Sequence, residues 1–88
     1  MNKLQELLVI TMEECGELTQ RCSKVLRRSN NVEDIHSDDK EKLLEEAGDV
    51  YCMIQLMIQQ GLFSYYDLEI RAKKKRKKLK TWSSLIDE

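Results

Sequence analysis

Two short acidic clusters carry the side chains of this chain that are best suited to chemistry. Each holds two acids three residues apart, with another acid just before them: Glu13, Glu14 and Glu17, then Glu45, Glu46 and Asp49. Residues three apart lie on one side of a helix, so two packed helices would bring the paired acids together. Carboxylates are rarely buried without a partner, and a hard divalent cation with oxygen ligands supplies one. The pattern predicts a metal site, with solvated acids on exposed helix faces as the alternative.

The charge of such a site limits the chemistry that it supports. Four carboxylates carry more negative charge than one divalent ion neutralises, so the site suits several ions, or one ion beside a base that activates water. Phosphoryl transfer needs charge neutralisation and positioning more than a covalent nucleophile, and the sequence suggests no Ser/His/Asp or Cys/His arrangement. A di-iron carboxylate bundle is disfavoured, because neither acidic cluster contains the Glu-x-x-His motif of such proteins.

The composition is that of a small helical protein. The chain has 88 residues with no proline and 35% charged residues, which predicts a single all-α domain over residues 1–88. No apolar run is long enough to span a membrane, and the N-terminal segment is unlike a secretory signal. Three cysteines without a CxxC spacing, Cys15, Cys22 and Cys52, predict buried thiols in a cytoplasmic protein.

Apolar periodicity predicts three helices and a short tail. The helices are expected at about residues 3–28, 38–60 and 64–80, and the tail at 81–88. In the first helix the apolar side chains recur at steps of three and four, at Leu4, Leu8, Cys15, Leu18, Cys22, Val25 and Leu26. The second helix is apolar around too much of its circumference to be covered by so short a chain. We therefore expect a three-helix protomer that forms a four-helix-bundle-like core through homo-oligomerisation.

Helix ends are predicted from capping residues. Asp38 with Glu41, and Ser64 with Asp67, have the spacing of a capping pair at a helix start. Asparagines after residue 28 and Gly61 favour helix ends, because both residue types tolerate the left-handed conformation.

The acidic clusters resemble the signature of the all-α nucleoside triphosphate pyrophosphohydrolases. The matching segments are Glu13-Glu14-Cys15-Gly16-Glu17-Leu18 and Glu46-Ala47-Gly48-Asp49-Val50. The resemblance covers about residues 4–82 and is greatest to the small, single-domain MazG-like members, including those carried by phages. For a phage-encoded protein, it implies the host cytoplasm as the location.

The resemblance implies a reaction and a cofactor. Family enzymes convert a (d)NTP to a (d)NMP and pyrophosphate, a house-cleaning role in the nucleotide pool. The homo-oligomer expected from the apolar second helix is a dimer or a tetramer. Mg²⁺, for which Mn²⁺ can substitute, would be bound by Glu14, Glu17, Glu46 and Asp49. Glu13 and Glu45 would support catalysis from outside the ligand set or orient the attacking water.

A basic segment at residues 71–80 holds eight bases in ten residues. It is either a solvated helix face or a surface that binds a triphosphate, whereas nucleic acid is disfavoured because aromatic residues are few and the acids would repel a duplex. The resemblance implies substrate-binding roles for Lys24, Arg27, Lys75, Lys78 and Trp82. An asparagine that many relatives carry in the third helix is absent from this one.

A second class of function is also open. A non-catalytic helical interaction module would use the basic third helix to bind a protein partner or nucleic acid, and loss of the acidic clusters would not affect it. Of the other residues, we expect His36 to be exposed and Tyr51, Tyr65 and Tyr66 to lie in the core or an interface. Trp82 is expected to pack more readily than to stack on a base.

Overall fold

The computed structural model describes residues 1–87, and these residues are all-helical. The elements are α1 (Lys3–Arg28), a 3-10 turn (Val32–Asp34), α2 (Ser37–Gln59) and α3 (Tyr65–Trp82). Among the described residues there is no strand and no helix that is both long and apolar enough to cross a membrane. The prediction of an all-α fold is confirmed. The chain divides into two compact units, Met1–Met57 and a second that begins at Ile58, and the single domain over residues 1–88 stays a prediction.

The bounds of α1 agree with the prediction, but the way the helix ends does not. At the start, the Asn2 side chain accepts from the Gln5 N–H at 2.8 Å, and the Gln5 side chain accepts from the Asn2 N–H at 3.0 Å, a capping box. At the other end Ser29 is extended, with φ −140°. The expectation that a left-handed asparagine ends α1 is wrong, since only Gly61 has a positive φ in the part of the chain that is described.

The second helix begins one residue earlier than predicted, at Ser37. The His36 carbonyl accepts from the Lys40 N–H at 3.0 Å, so His36 rather than Asp38 occupies the N-cap position. Asp38 lies in the first helical turn, and the prediction that it caps α2 is therefore wrong. The predicted stop is confirmed, because Gly61 adopts φ +80° just beyond the end of α2.

In the second unit, α3 has the predicted start and a later end. Ser64 Oγ accepts from the Asp67 N–H at 3.1 Å, and the Asp67 carboxylate accepts from the Ser64 N–H at 2.9 Å. These bonds confirm the capping pair, and they lower the pKa of Asp67 below its usual value. The helix extends to Trp82, so the prediction that residues 81 and 82 belong to a tail is wrong.

Within the first unit, α1 and α2 pack side by side as an antiparallel hairpin. Buried and half-buried residues of both helices recur at alternating steps of four and three, the spacing of a heptad repeat, and together they are termed the hairpin seam. They are Leu7, Thr11, Glu14, Leu18, Arg21 and Val25 of α1, and Asp39, Leu43, Glu46, Val50, Met53 and Met57 of α2, and all are buried or half-buried. The seam therefore interleaves apolar and charged residues. Leu7 and Met53, only 6% and 7% exposed, form its apolar end.

A second set of apolar residues runs beside the seam and is uncovered. It comprises Leu8, Met12, Cys15, Cys22 and Leu26 of α1 with Leu44, Ala47 and Tyr51 of α2, all exposed, and is termed the apolar face. On each helix, the residues of this face come one position after residues of the seam. Because the helices are antiparallel, this shift of about 100° turns both sets to the same side of the hairpin. The apolar stripe predicted for α1 mixes residues of the seam with residues of this face.

The cysteines and tyrosines are more exposed than predicted. Cys15, Cys22 and Cys52 are all free and exposed in the single chain, so the expectation of buried thiols is wrong for the protomer. Tyr51, Tyr65 and Tyr66 are 58%, 62% and 72% exposed, which excludes them from a core of the described residues. His36 is exposed, as predicted.

Candidate metal centre

The paired acids of the two clusters converge in the middle of the hairpin. One carboxylate oxygen from each of four residues lies within 4.8 Å of the other three, and the residues are Glu14, Glu17, Glu46 and Asp49. This is the convergence that the three-residue spacing predicts for packed helices. The four acids therefore form one cluster and do not lie on two separate, solvated helix faces.

The hairpin seam fixes where each acid lies. Glu14 and Glu46 are members of the seam and are half-buried, whereas Glu17 and Asp49 are exposed. The exposed acids come three residues after the seam acids, a shift that turns both of them to the side opposite the apolar face. The centre thus has two half-buried carboxylates, those of Glu14 and Glu46, which are termed the floor acids. It is open to solvent on one side of the hairpin.

Burial and mutual repulsion disfavour the charged form of the floor acids. Burial raises the pKa of Glu14, and the other three carboxylates raise it further. Burial also raises the pKa of Glu46, followed by Glu17, while the Arg21 guanidinium opposes the shift. A side-chain hydrogen bond to Glu17 adds to the increase of the pKa in both cases.

The residues present are suited to a hard divalent cation. Glu14 Oε2 and Glu46 Oε2 are both buried without a hydrogen-bond partner, and leaving such an oxygen unsatisfied is costly. Carboxylate oxygens are the ligands that Mg²⁺ and Ca²⁺ prefer. The donor set contains no sulfur or imidazole, which argues against a soft metal.

A second charged layer lies one heptad from the floor acids. Asp39 is only 2% exposed, and its Oδ1 lies 3.3 Å from Arg28 Nη1 and 3.9 Å from Arg21 Nη1. The sequence interpretation missed this layer. The signal was available, because Arg21 and Arg28 follow Glu14 at steps of seven, and Asp39 precedes Glu46 by seven.

The predicted support and substrate residues of the first unit differ in position. Glu13 and Glu45 are exposed and lie next to the converging acids without belonging to them. Lys24 is exposed and follows Glu17 by seven residues, which puts it on the same row of α1. Arg27 is also exposed, but its helical phase is opposite the seam, so it lies on the outer side of α1. The roles of all four residues stay predictions.

The predicted substrate residues of the second unit share one face of α3. Lys75, Lys78 and Trp82 are separated by three and four residues, the spacing of neighbours on a helix surface. All three are exposed, and Trp82 is 82% exposed. Trp82 is therefore not a packing anchor within the described residues. Their roles in binding a substrate likewise stay predictions.

Two cavities of the first unit lie apart from the acids. An apolar one of about 290 Å³ includes Cys22, Val25 and Leu43, and a polar one of about 430 Å³ is lined by Arg28, His36, Asp38 and Asp39. None of the converging acids lines either cavity. The Glu-x-x-His spacing from Glu33 to His36 belongs to the segment between α1 and α2 and is not part of the centre.

Comparison with known proteins adds no relative. No protein-family model, curated protein or solved structure matches the chain. The function has to be inferred from the carboxylate centre and the residues around it.

Proposed function

We propose that this chain is a Mg²⁺-dependent nucleoside triphosphate pyrophosphohydrolase that converts a (d)NTP to a (d)NMP and pyrophosphate. The observation that carries the proposal is the convergence of Glu14, Glu17, Glu46 and Asp49, whose ligand oxygens lie within 4.8 Å of one another. The resemblance of the two acidic segments to the MazG-like signature names the reaction. The geometry supports the metal requirement independently of that resemblance.

The hairpin seam itself supports the proposed cation requirement. Two half-buried carboxylates in one layer repel each other, and each has a buried oxygen without a partner. Without a cation these two buried oxygens have no hydrogen-bond partner, and leaving them unsatisfied is costly. A divalent cation would satisfy both oxygens and remove the repulsion.

Each acid has a proposed part in the reaction. Mg²⁺ bound at this centre would neutralise phosphate charge and lower the pKa of a bound water. Glu14 and Glu46 hold their carboxylates in fixed positions because the seam packs around them. The exposed Glu17 and Asp49 leave the open side accessible to a triphosphate. Glu13 and Glu45 are proposed to orient the water that attacks between the α- and β-phosphates.

Basic side chains are proposed to hold the remaining negative charge of the substrate. Lys24 supports this role because it lies on the row of Glu17. Lys75 and Lys78 present two cations on one face of α3, with Trp82 available to stack on a base. Arg27 is the weakest member of the predicted set, because its row is on the outer side of α1.

A second copy of the chain is the proposed cover of the apolar face. This face has the heptad spacing of a helix-packing surface, and Met12, Leu26 and Leu44 on it are 66%, 79% and 72% exposed. Packing two hairpins through it would give a core of four helices. The carboxylate centre, on the opposite side, would remain open.

The direct test is turnover of a (d)NTP panel with Mg²⁺, scored by release of pyrophosphate and a monophosphate. Glu17→Gln and Asp49→Asn should abolish turnover and leave the helical circular dichroism unchanged, because both side chains are exposed. Glu41→Gln is the matched control, since Glu41 is an exposed acid of α2 outside the centre. Folded protein that releases no pyrophosphate from any nucleotide would refute the proposed function.

A non-catalytic interaction module is the second candidate, favoured by the exposed cationic face of α3. In that case a partner protein or nucleic acid would bind in a salt-sensitive manner. Binding would be lost in Lys75→Gln/Lys78→Gln and unaffected by Glu17→Gln. Substitution of the clustered acids therefore distinguishes the two candidate functions, because only the hydrolase requires these acids.

A further inference from the structure

We propose that Arg21 contacts a phosphate oxygen of the ligand held at the carboxylate centre, and that Asp39 positions Arg21 for this contact. The proposal rests on the proposed function for the identity of the ligand as a phosphate compound. It assigns the contact to a residue of the hairpin seam that the acidic motif does not include.

The position of Arg21 places a cation next to the centre. It follows Glu17 by four residues, about 6 Å along the helix axis, and it continues the seam row of Glu14. Arg21 is thus the seam cation that adjoins the four acids.

The bonding of Arg21 is incomplete. Its side chain is 14% exposed, and its Nε–H is buried without a hydrogen-bond partner. Its Nη1 lies 3.9 Å from Asp39 Oδ1, which is too far for a hydrogen bond. A guanidinium has five N–H donors arranged as a fork that suits phosphate. Arg21 therefore retains unused donors beside a centre that is suited to a metal-bound anion.

The ion-pair layer also has a surplus of cations. Arg28 lies closer to Asp39 Oδ1, at 3.3 Å, so the buried carboxylate already has an ion-pair partner. Two guanidinium groups and one carboxylate leave one positive charge next to the acids. Asp39 is 2% exposed, and its carboxylate is the ion-pair partner that the structure gives to Arg21.

The competing explanation is structural. Arg21 could serve only to link α1 to α2 through Asp39, as Arg28 does. The two arginines share one carboxylate oxygen but differ in their distance along α1 from the acids. Comparing them separates a helix link from an anion contact.

The experiment measures binding of Mg²⁺ alone, and then of inorganic pyrophosphate at a fixed Mg²⁺ concentration, by calorimetry on the full chain. Arg21→Gln should weaken pyrophosphate binding by about tenfold or more and leave Mg²⁺ binding within about twofold. Arg28→Gln, the matched control, should change pyrophosphate binding less than about threefold. Arg21→Lys keeps the positive charge without the forked guanidinium donors, so its pyrophosphate affinity should fall less than that of Arg21→Gln.

Equal losses in Arg21→Gln and Arg28→Gln, or none in Arg21→Gln, would overturn the proposal. So would wild-type protein that binds Mg²⁺ without any Mg²⁺-dependent binding of pyrophosphate. If circular dichroism shows that Arg21→Gln is unfolded, Arg21→Lys and Asp39→Asn decide the matter, and wild-type pyrophosphate affinity in both would refute it. Nucleotide turnover is a separate readout. Arg21-dependent pyrophosphate binding in a protein without turnover would refute the hydrolase and leave the contact standing.

Discussion

Two charged layers of the hairpin seam, one heptad apart, differ in whether their carboxylates have a cation opposite them. In one layer the buried Asp39 is met by Arg21 and Arg28 from the facing helix. In the other, Glu14 and Glu46 lie in the same seam, and burial together with neighbouring carboxylates raises the pKa of both. The chain could have placed an arginine opposite Glu46, as it does opposite Asp39. A layer without a cation opposite its half-buried carboxylates, next to one that has such a cation, is what the proposed metal site would require.

Converting the like-charge layer into an ion pair gives the largest expected effect. Glu46→Lys would place a cation beside Glu14, so the melting temperature without Mg²⁺ should rise. Turnover should fall by more than the roughly 10- to 100-fold that losing an outer partner of a metal ligand costs. Glu41→Lys, on an exposed part of α2, should do neither. A lower melting temperature in Glu46→Lys would mean that repulsion does not govern this layer.

Breaking the ion-pair layer should destabilise the fold. Asp39→Ala leaves Arg21 largely buried without a partner, which should lower the free energy of unfolding by about 3 kcal/mol, measured by urea titration of the helical signal. Asp38→Ala is the neighbouring control, since Asp38 is exposed in the first turn of α2 and should cost at most about 1 kcal/mol. Similar losses in both variants would remove the distinction between the two layers.

The apolar end of the seam supplies a reference without charge. Met53→Ala should cost about 2 kcal/mol of unfolding free energy, the lower end of the range for such deletions, because Met53 is 7% exposed. Leu7→Ala should lose a similar amount. If the two side chains form one layer, their double variant should deviate from additivity by at least about 0.5 kcal/mol. Strict additivity would contradict a seam register that pairs Leu7 with Met53.

The pH dependence of stability that comes from Glu14 and Glu46 is expected to be small. The pKa values of Glu14 and Glu46 are raised above 4.5 in the folded chain, so the folded state binds protons more tightly than the unfolded state. Their contribution to stability is present below pH 4.5 and is lost as the pH rises through the raised values. Without Mg²⁺, the melting temperature should therefore fall more steeply with rising pH above pH 4.5 in wild type than in Glu14→Gln/Glu46→Gln. Added Mg²⁺ should reverse the trend, because the ion competes with protons.

Much of this fold was accessible from sequence because its signals are local. The bounds of α1, the Ser64–Asp67 capping pair and the Gly61 stop depend on a few adjacent residues. The convergence of the acids followed from spacing plus the assumption that the two helices pack. The ion-pair layer was not found, because charged residues on the seam interrupt the apolar pattern that marks a core. On α1, the residues of the apolar face from Leu8 to Leu26 form a more continuous apolar row than the seam does, but they are exposed in the single chain.

The cysteines of the chain provide an internal reporter for the state of its surface. Cys15 and Cys22 belong to the apolar face, whereas the helical phase of Cys52 puts it away from that face, and all three are exposed in the single chain. The rate at which a thiol reagent modifies the first two, relative to Cys52, measures how much of the face is covered at a given protein concentration. No label or fusion has to be introduced for this purpose. The same rates, compared with and without nucleotide, would also report whether a ligand on one side of the hairpin alters the other.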